Sequence, residues 1–506
     1  MRHSLAALLL AASILAVPGV PGAFAQSDAA APPARAAVRP APDNPSELPP
    51  PSVTRHRLKL PDGELAFTAT AGATRLYDDG GTPVADFVLT SYRLDGADPA
   101  RRPVAFVVNG GPGASSAWLQ FGALGPWRLV LDGAAAPPST PPRLVENAET
   151  WLAFTDLVFI DPPGTGYSRL VGSGDDIRRR AYSVDGDIDF LAAIIRRWTE
   201  DNRRELSPKV FVGESYGGFR GPLLARALAT DHGVGLKGLV LVSPVLDFRL
   251  RDSRNIQAEA ALLPSMVAAA RRLDPALAGP PIAEIERIAA SEHLADLARG
   301  PRDEAARGRI VDRVAAWTGL DRALVAQYGG RLPLNVFLNH VDRRGGRFAS
   351  PYDAAAVGLD PNPFGESHGA LDPVLDALKA PFTSAARELY AGKLDWAPKR
   401  RYEVLSNGVN RAWEWGRSLS PPQSSGALAE MLAADPTLGT VVVHGSADLV
   451  TPYMASRFAM DQIAVPGVGD RLQLRVLAGG HMFYADPASR IAFRDIGRDL
   501  VAAAAR

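Results

Sequence analysis

Short apolar runs at Val104–Val108, Leu157–Ile160, Val210–Val212, Leu239–Val242, Thr440–Val443 and Leu472–Val476 punctuate the chain, each about the length of a buried strand. Between several of them lie stretches with apolar residues at helical spacing, as over Ile188–Trp198. Strand and helix in alternation predict an α/β fold, a mostly parallel central sheet with helices on both faces. Upstream, Leu65–Thr70 and Val84–Leu89 sit between Asp-Gly and Gly-Gly turns and predict N-terminal antiparallel strands. From about Leu250 to Lys399 the pattern changes to Ala-rich helical runs, among them Ala258–Leu273 and Ile282–Ala298. The strand candidates on either side belong to one sheet. The expected layout is therefore a sheet domain over 54–250 and 400–506 with a helical cap insertion over 251–399; the alternative is a separate helical domain with its own partner.

The first 53 residues follow neither pattern. A basic Met1-Arg2-His3-Ser4 precedes an apolar run from Leu5 to Val17, and Ala23-Phe24-Ala25 precedes Gln26. This is the form of a secretory signal peptide over 1–25, cleaved after Ala25, and the run is too short to span roughly 30 Å of hydrocarbon. The mature chain is expected to be periplasmic or secreted, with no membrane insertion once the signal is removed. Residues 26–53 are Ala/Pro-rich and read as an extended linker. The 55 basic and 55 acidic residues balance, so no global field favours nucleic acid. With no cysteine, the chain has neither disulfide nor thiolate chemistry.

The pentapeptide Gly-x-Ser-x-Gly occurs twice, at Gly213-Glu214-Ser215-Tyr216-Gly217 and Gly365-Glu366-Ser367-His368-Gly369. Only the first lies between a strand candidate and a helical pattern, the context of a nucleophile elbow. Ser367 follows Asp360-Pro361-Asn362-Pro363-Phe364, where proline bars a central strand, and is expected in a cap loop.

A serine hydroxyl needs a base, and the base needs an acid to orient it. On such a sheet the order is serine, acid, histidine. His481 lies in Ala478-Gly479-Gly480-His481, directly after a strand candidate, and fits the base better than His444. Asp448, in the loop after Thr440–Val443, is the expected acid, with Asp247 as its rival. The Gly-rich stretch Asn109-Gly110-Gly111-Pro112-Gly113 follows Val104–Val108 and lacks the Gly-Lys-Ser/Thr ending of a phosphate loop. It is placed to give the Gly111 amide to an oxyanion hole whose second donor is the amide of Tyr216. Such chemistry calls for neither metal nor cofactor, and none is expected.

Taken in order, Asn109-Gly110-Gly111-Pro112-Gly113-Ala114-Ser115-Ser116, Asn147-Ala148-Glu149-Thr150-Trp151, Asp161-Pro162-Pro163-Gly164-Thr165-Gly166-Tyr167-Ser168, Gly213-Glu214-Ser215-Tyr216-Gly217-Gly218 and Gly480-His481-Met482 resemble the serine carboxypeptidase family. The resemblance covers roughly residues 100–250 and 440–490. It implies an α/β-hydrolase fold, the triad Ser215, Asp448 and His481, and removal of C-terminal residues from peptides. It also implies that Asn109 and Glu214 bind the terminal carboxylate of the substrate. Two carboxylates at hydrogen-bond distance cannot both stay charged, so Glu214 must be protonated and activity is expected at acidic pH. The sequence departs from the family pattern at Val107, where a tryptophan is common, and at Ala123, where a glutamate is common. Those two positions leave an esterase or acyltransferase as the alternative, and a catalytically silent binding protein using the cap groove is a further one.

Overall fold

A computed structural model describes residues 48–506 apart from 62, 79, 131–136, 173, 343–344, 364–370 and 417. The segment read as a signal peptide, nearly all of the segment read as linker and the second pentapeptide with Ser367 lie outside the described residues.

Nine strands form the main path of a twisted sheet: β1 (Ser52–Leu60), β2 (Gly63–Tyr77), β3 (Pro83–Leu94), β4 (Val104–Val108), β5 (Asp156–Asp161), β6 (Lys209–Glu214), β7 (Gly238–Val242), β8 (Gly439–Gly445) and β9 (Leu472–Leu477). Their spatial order is β1-β2-β3-β5-β4-β6-β7-β8-β9. The first three pair antiparallel and β3 pairs antiparallel with β5, after which every pairing through β9 is parallel. A two-residue strand, Arg169–Leu170, adds to the end of β3. The first strand already begins at Ser52, inside the segment read as linker.

The unbroken apolar runs follow from this burial. Along β4, Val104, Phe106 and Val108 enter one core while Ala105 and Val107 enter the other, so both faces of the strand must be apolar. One face is covered by α1 (Val184–Asp201), α2 (Tyr216–Asp231) and α6 (Ser425–Ala434), through residues such as Ile195, Leu228 and Leu432. The other is covered by α5 (Leu375–Glu388) and α7 (Pro487–Ala504), through Phe382, Phe493 and Val501. At the edge, β9 has every residue partly or fully exposed, in keeping with Gln473 and Arg475 in its sequence.

Between β7 and β8, packing divides the helical stretch in two. Helices α3 (Ile256–Leu273) and α4 (Glu304–Thr318) enclose a separate cluster with Val267, Val311 and Phe337, which also takes in Ala447 and Leu449 from the loop after β8. Val374, Leu378, Leu389 and Trp396 instead join a main core of the sheet. The helices that pack among themselves therefore make up only part of 251–399. Among the described residues, no helix is long and apolar enough to cross a membrane.

Candidate active site

Ser215 stands between the end of β6 and the first residue of α2, with φ 59° and ψ −120°. A non-glycine residue in this left-handed region stores strain of order 1–3 kcal/mol, held here by the packing around it. At Gly213, a Cβ would run into the Gly217 carbonyl, so the turn can close this tightly only with glycine there. The result is a serine partly exposed among buried neighbours, presented on the crest of the turn.

The Gly-rich loop meets the elbow directly. A Cβ on Gly110 would lie 2.5 Å from the Tyr216 amide nitrogen and 2.9 Å from that of Gly217, so only glycine allows this approach. As the first residue of α2, Tyr216 has an amide without an intrahelical acceptor. Next to it, Gly111 has φ 101°. The residue before Gly111 thus packs directly on the Tyr216 amide.

His481 and Asp448 arrive from the loops after β9 and β8. Nδ1 of His481 lies 2.8 Å from Oδ2 of Asp448. The other oxygen of Asp448 accepts the amides of Val450 (2.9 Å) and Thr451 (2.8 Å), and the Thr451 hydroxyl lies 2.7 Å from Oδ2. Burial raises the Asp448 pKa, but the adjacent imidazole and these bonds outweigh it, and the carboxyl ends below its ordinary value. For His481, burial opposes the charged form, whereas the Asp448 charge and hydrogen bond more than offset it, and its pKa ends raised.

Ser243, at the end of β7, ties the two loops together. Its hydroxyl donates to the His481 carbonyl (2.9 Å), and its own carbonyl accepts from the Thr451 hydroxyl (3.0 Å). Neither Ser243 nor Thr451 carries a motif, and both were invisible in the sequence.

The rival residues are occupied elsewhere. Nε2 of His444 bonds the Ser456 hydroxyl at 2.8 Å, and its Nδ1, buried without a partner, is 4.0 Å from Asp448. Burial lowers its pKa to about 4, so it is neutral. Asp247 caps a short 3-10 turn and pairs with Arg249.

Asn109 and Glu214 also come together. Nδ2 of Asn109 donates to Oε2 of Glu214 at 2.5 Å, while Oδ1 of Asn109 accepts the Leu119 amide at 3.0 Å. Tyr484 completes this group, its hydroxyl 3.0 Å from both Glu214 oxygens. Its ring packs against Gly122, beside Ala123, where any side chain at 122 would collide with it. A tyrosine three positions after the candidate base was the one available signal for it. Burial, only partly offset by His481 and by these hydrogen bonds, pushes the Glu214 pKa up to about 7. Val107 is buried in the core.

Beneath the Gly-rich loop, Arg220 on α2 is 1% exposed and forms two hydrogen bonds with Asp187 (2.6 and 3.0 Å) and one to the Asn109 carbonyl (2.5 Å). Removing one partner of a buried pair leaves the other charge uncompensated, at a cost of about 3–5 kcal/mol. Arg220→Ala is expected to lose that much in urea unfolding. Restoring neutrality with Asp187→Leu in the same chain should recover a large part, an outcome that simple loss of arginine packing would not give.

The serine carboxypeptidase family profile matches residues 89–267. Serine carboxypeptidase-like 33 of Arabidopsis thaliana is 29% identical over 161 residues, 29% of this chain and 31% of that protein. Pheromone-processing carboxypeptidase KEX1 of Komagataella phaffii is 31% identical over 142 residues, 28% of this chain and 20% of that protein. The chain thus spans under a third of the length of these curated relatives. In three dimensions, the prohormone-processing carboxypeptidase KEX1(delta)p of Saccharomyces cerevisiae superposes with a TM-score of 0.52 at 15% identity, over 91% of this chain and 92% of that one, which shows a shared fold. Over residues 89–267 the chain is therefore similar to the serine carboxypeptidase family, and the order of its strands and the shared fold are those of an α/β-hydrolase.

Proposed function

We propose that the chain is an exported serine carboxypeptidase that removes C-terminal residues from peptides through an acyl-enzyme on Ser215. The observation that carries the reading is the buried Asn109–Glu214–Tyr484 group, whose acid comes immediately before the serine of the elbow. An esterase has no use for a carboxyl kept protonated up to about pH 7; a peptidase that reads a free C-terminal carboxylate has.

In this reading Ser215 Oγ attacks the last peptide carbonyl while His481 takes its proton, and the amides of Gly111 and Tyr216 hold the oxyanion. His481 then protonates the leaving amine, and a water activated by the same imidazole releases the acyl group. Asp448 fixes the tautomer throughout. Asn109 and neutral Glu214 donate hydrogen bonds to the terminal carboxylate. Export rests on the N-terminal signal pattern alone, and the periplasm or the medium is its destination.

The test is hydrolysis of N-blocked dipeptides against their C-terminal amides and esters, with Ser215→Ala as control. Faster cleavage of the free acids supports the proposal. Amides and esters cleaved as well as acids would favour the esterase or acyltransferase reading, and failure of Ser215 to react with a fluorophosphonate would favour a silent binding protein.

Glu214 also fixes the expected pH dependence. With its pKa raised to about 7, the acid is neutral below that pH and becomes a repelling carboxylate above it. KM for a blocked dipeptide is therefore expected to rise about tenfold per pH unit above 7, while KM for the matching C-terminal amide stays level. Glu214→Gln, neutral at every pH, should flatten the curve. A KM for the free acid unchanged from pH 6 to 9 would remove Glu214 from carboxylate recognition.

A further inference from the structure

Beside the candidate site, the cap lines an open cavity of about 410 Å³, within the size range of small-molecule sites. Its walls are mainly apolar, with Leu263, Met266 and Leu297 from the cap and Leu449 and Val450 from the loop that carries Asp448. None of Asn109, Glu214 and Tyr484 lines it, so whatever enters is a different part of the substrate from the terminal carboxylate.

Arg251 stands on the wall of this cavity, at the end of the turn Phe248–Arg251. Its side chain is exposed to the hollow, and the protein around its head group holds its pKa below the usual arginine value. Among the described residues it forms no hydrogen bond or ion pair, although its charge is close enough to interact with Asp448, His481 and Tyr352. The other charges on the wall cancel. Arg331 is bonded to Glu259 through Nε (2.8 and 2.6 Å), and His293 is kept neutral, its pKa lowered to about 4 by burial and by Arg313. One guanidinium without a bonded partner therefore faces an apolar hollow, close enough to the base and its acid for their charges to interact. A cation facing such a hollow without a bonded partner is stabilised by an anion, and a guanidinium binds a carboxylate in bidentate geometry.

We propose that Arg251 makes this cavity the receptor for an acidic side chain on the acyl side of the bond to be cleaved, so that the enzyme prefers substrates with glutamate or aspartate as the next-to-last residue. This rests on the carboxypeptidase reading only in naming the substrate a peptide. The charged head pairs with Arg251 and the methylenes lie against Leu449 and Val450.

Two matched substrate series test it: N-blocked Glu-Leu, Gln-Leu, Ala-Leu and Lys-Leu dipeptides, and methyl esters of the same blocked Glu, Gln, Ala and Lys, which have no C-terminal residue to be recognised. In each, kcat/KM for Glu is expected to exceed that for Gln by roughly tenfold or more. Arg251→Gln should bring the two together while leaving Ala within about threefold, and Arg251→Glu should shift preference to Lys. A Glu preference in the esters that vanishes in Arg251→Gln upholds the inference even if no dipeptide is cleaved, in which case only the carboxypeptidase reading falls. Equal rates for Glu and Gln esters in the wild type overturn it, as does a Glu preference that survives Arg251→Gln. It is equally overturned if Arg251→Gln slows every dipeptide alike and leaves the esters untouched, since Arg251 would then hold the terminal carboxylate itself.

Discussion

Replacing Ser215 by alanine is expected to lower kcat for a blocked dipeptide by about 10⁴–10⁶-fold and to abolish labelling by a fluorophosphonate. A serine acting with a base contributes nothing without its oxygen, so the loss should match that of His481→Ala, and the double variant should be no worse than either. The fold should not change. Ser215 makes no side-chain cap bond to α2, and alanine bears the same positive φ of 59° at the same backbone cost. Binding of a non-hydrolysable blocked dipeptide should survive, because Asn109, Glu214 and Tyr484 are untouched. An intact melting temperature with activity reduced less than a hundredfold would mean that another group attacks the bond.

The sheet was legible because burial on both faces leaves little freedom. Val104–Val108 was read to the residue, and Leu157–Ile160, Val210–Val212, Leu239–Val242 and Thr440–Val443 each lie within a slightly longer strand. What periodicity could not give was membership. Helical runs at Ala258–Leu273 and Leu375–Glu388 look alike in sequence, yet one packs within the cap and the other on the sheet. That difference depends on contacts between residues far apart in the chain, to which a local pattern is blind.

The site divides in the same way. Glycines at 110, 213 and 217 and the serine between the last two mark a close approach of backbones, and such an approach leaves a local signature. Tyr484, Thr451, Ser243, Arg220 and Arg251 act through single side chains reached across the fold, from positions where tyrosine, threonine, serine or arginine would be unremarked. Tyr484 bears most directly on the departures at Val107 and Ala123. It brings a second hydrogen-bonding side chain to Glu214, beside Asn109, packed against the stretch where the family's usual glutamate is missing, so carboxylate recognition can persist with different residues.

Asp448→Asn is expected to lower kcat by about 10⁴-fold while KM changes little, and the hydrogen bonds dictate why. Oδ1 of Asp448 accepts two backbone amides, those of Val450 and Thr451, so in the variant the amide oxygen must take that place. The NH₂ group is then forced into the place of Oδ2, facing Nδ1 of His481 and the Thr451 hydroxyl. Nδ1 has to accept, and the imidazole proton moves to Nε2, the atom that should take the proton from Ser215. The base is held in place in the wrong tautomer. A second consequence separates this from loose packing. In the wild type the Asp448 charge raises the His481 pKa against the effect of burial; without that charge burial dominates, and the pKa falls. The acidic limb of the kcat/KM profile, set by the need for neutral His481, should therefore move to lower pH in Asp448→Asn, and the residual rate should be flat across the range where the wild type is still climbing. An unchanged limb with the same loss of rate would show that Asp448 holds the loop but does not set the state of the base.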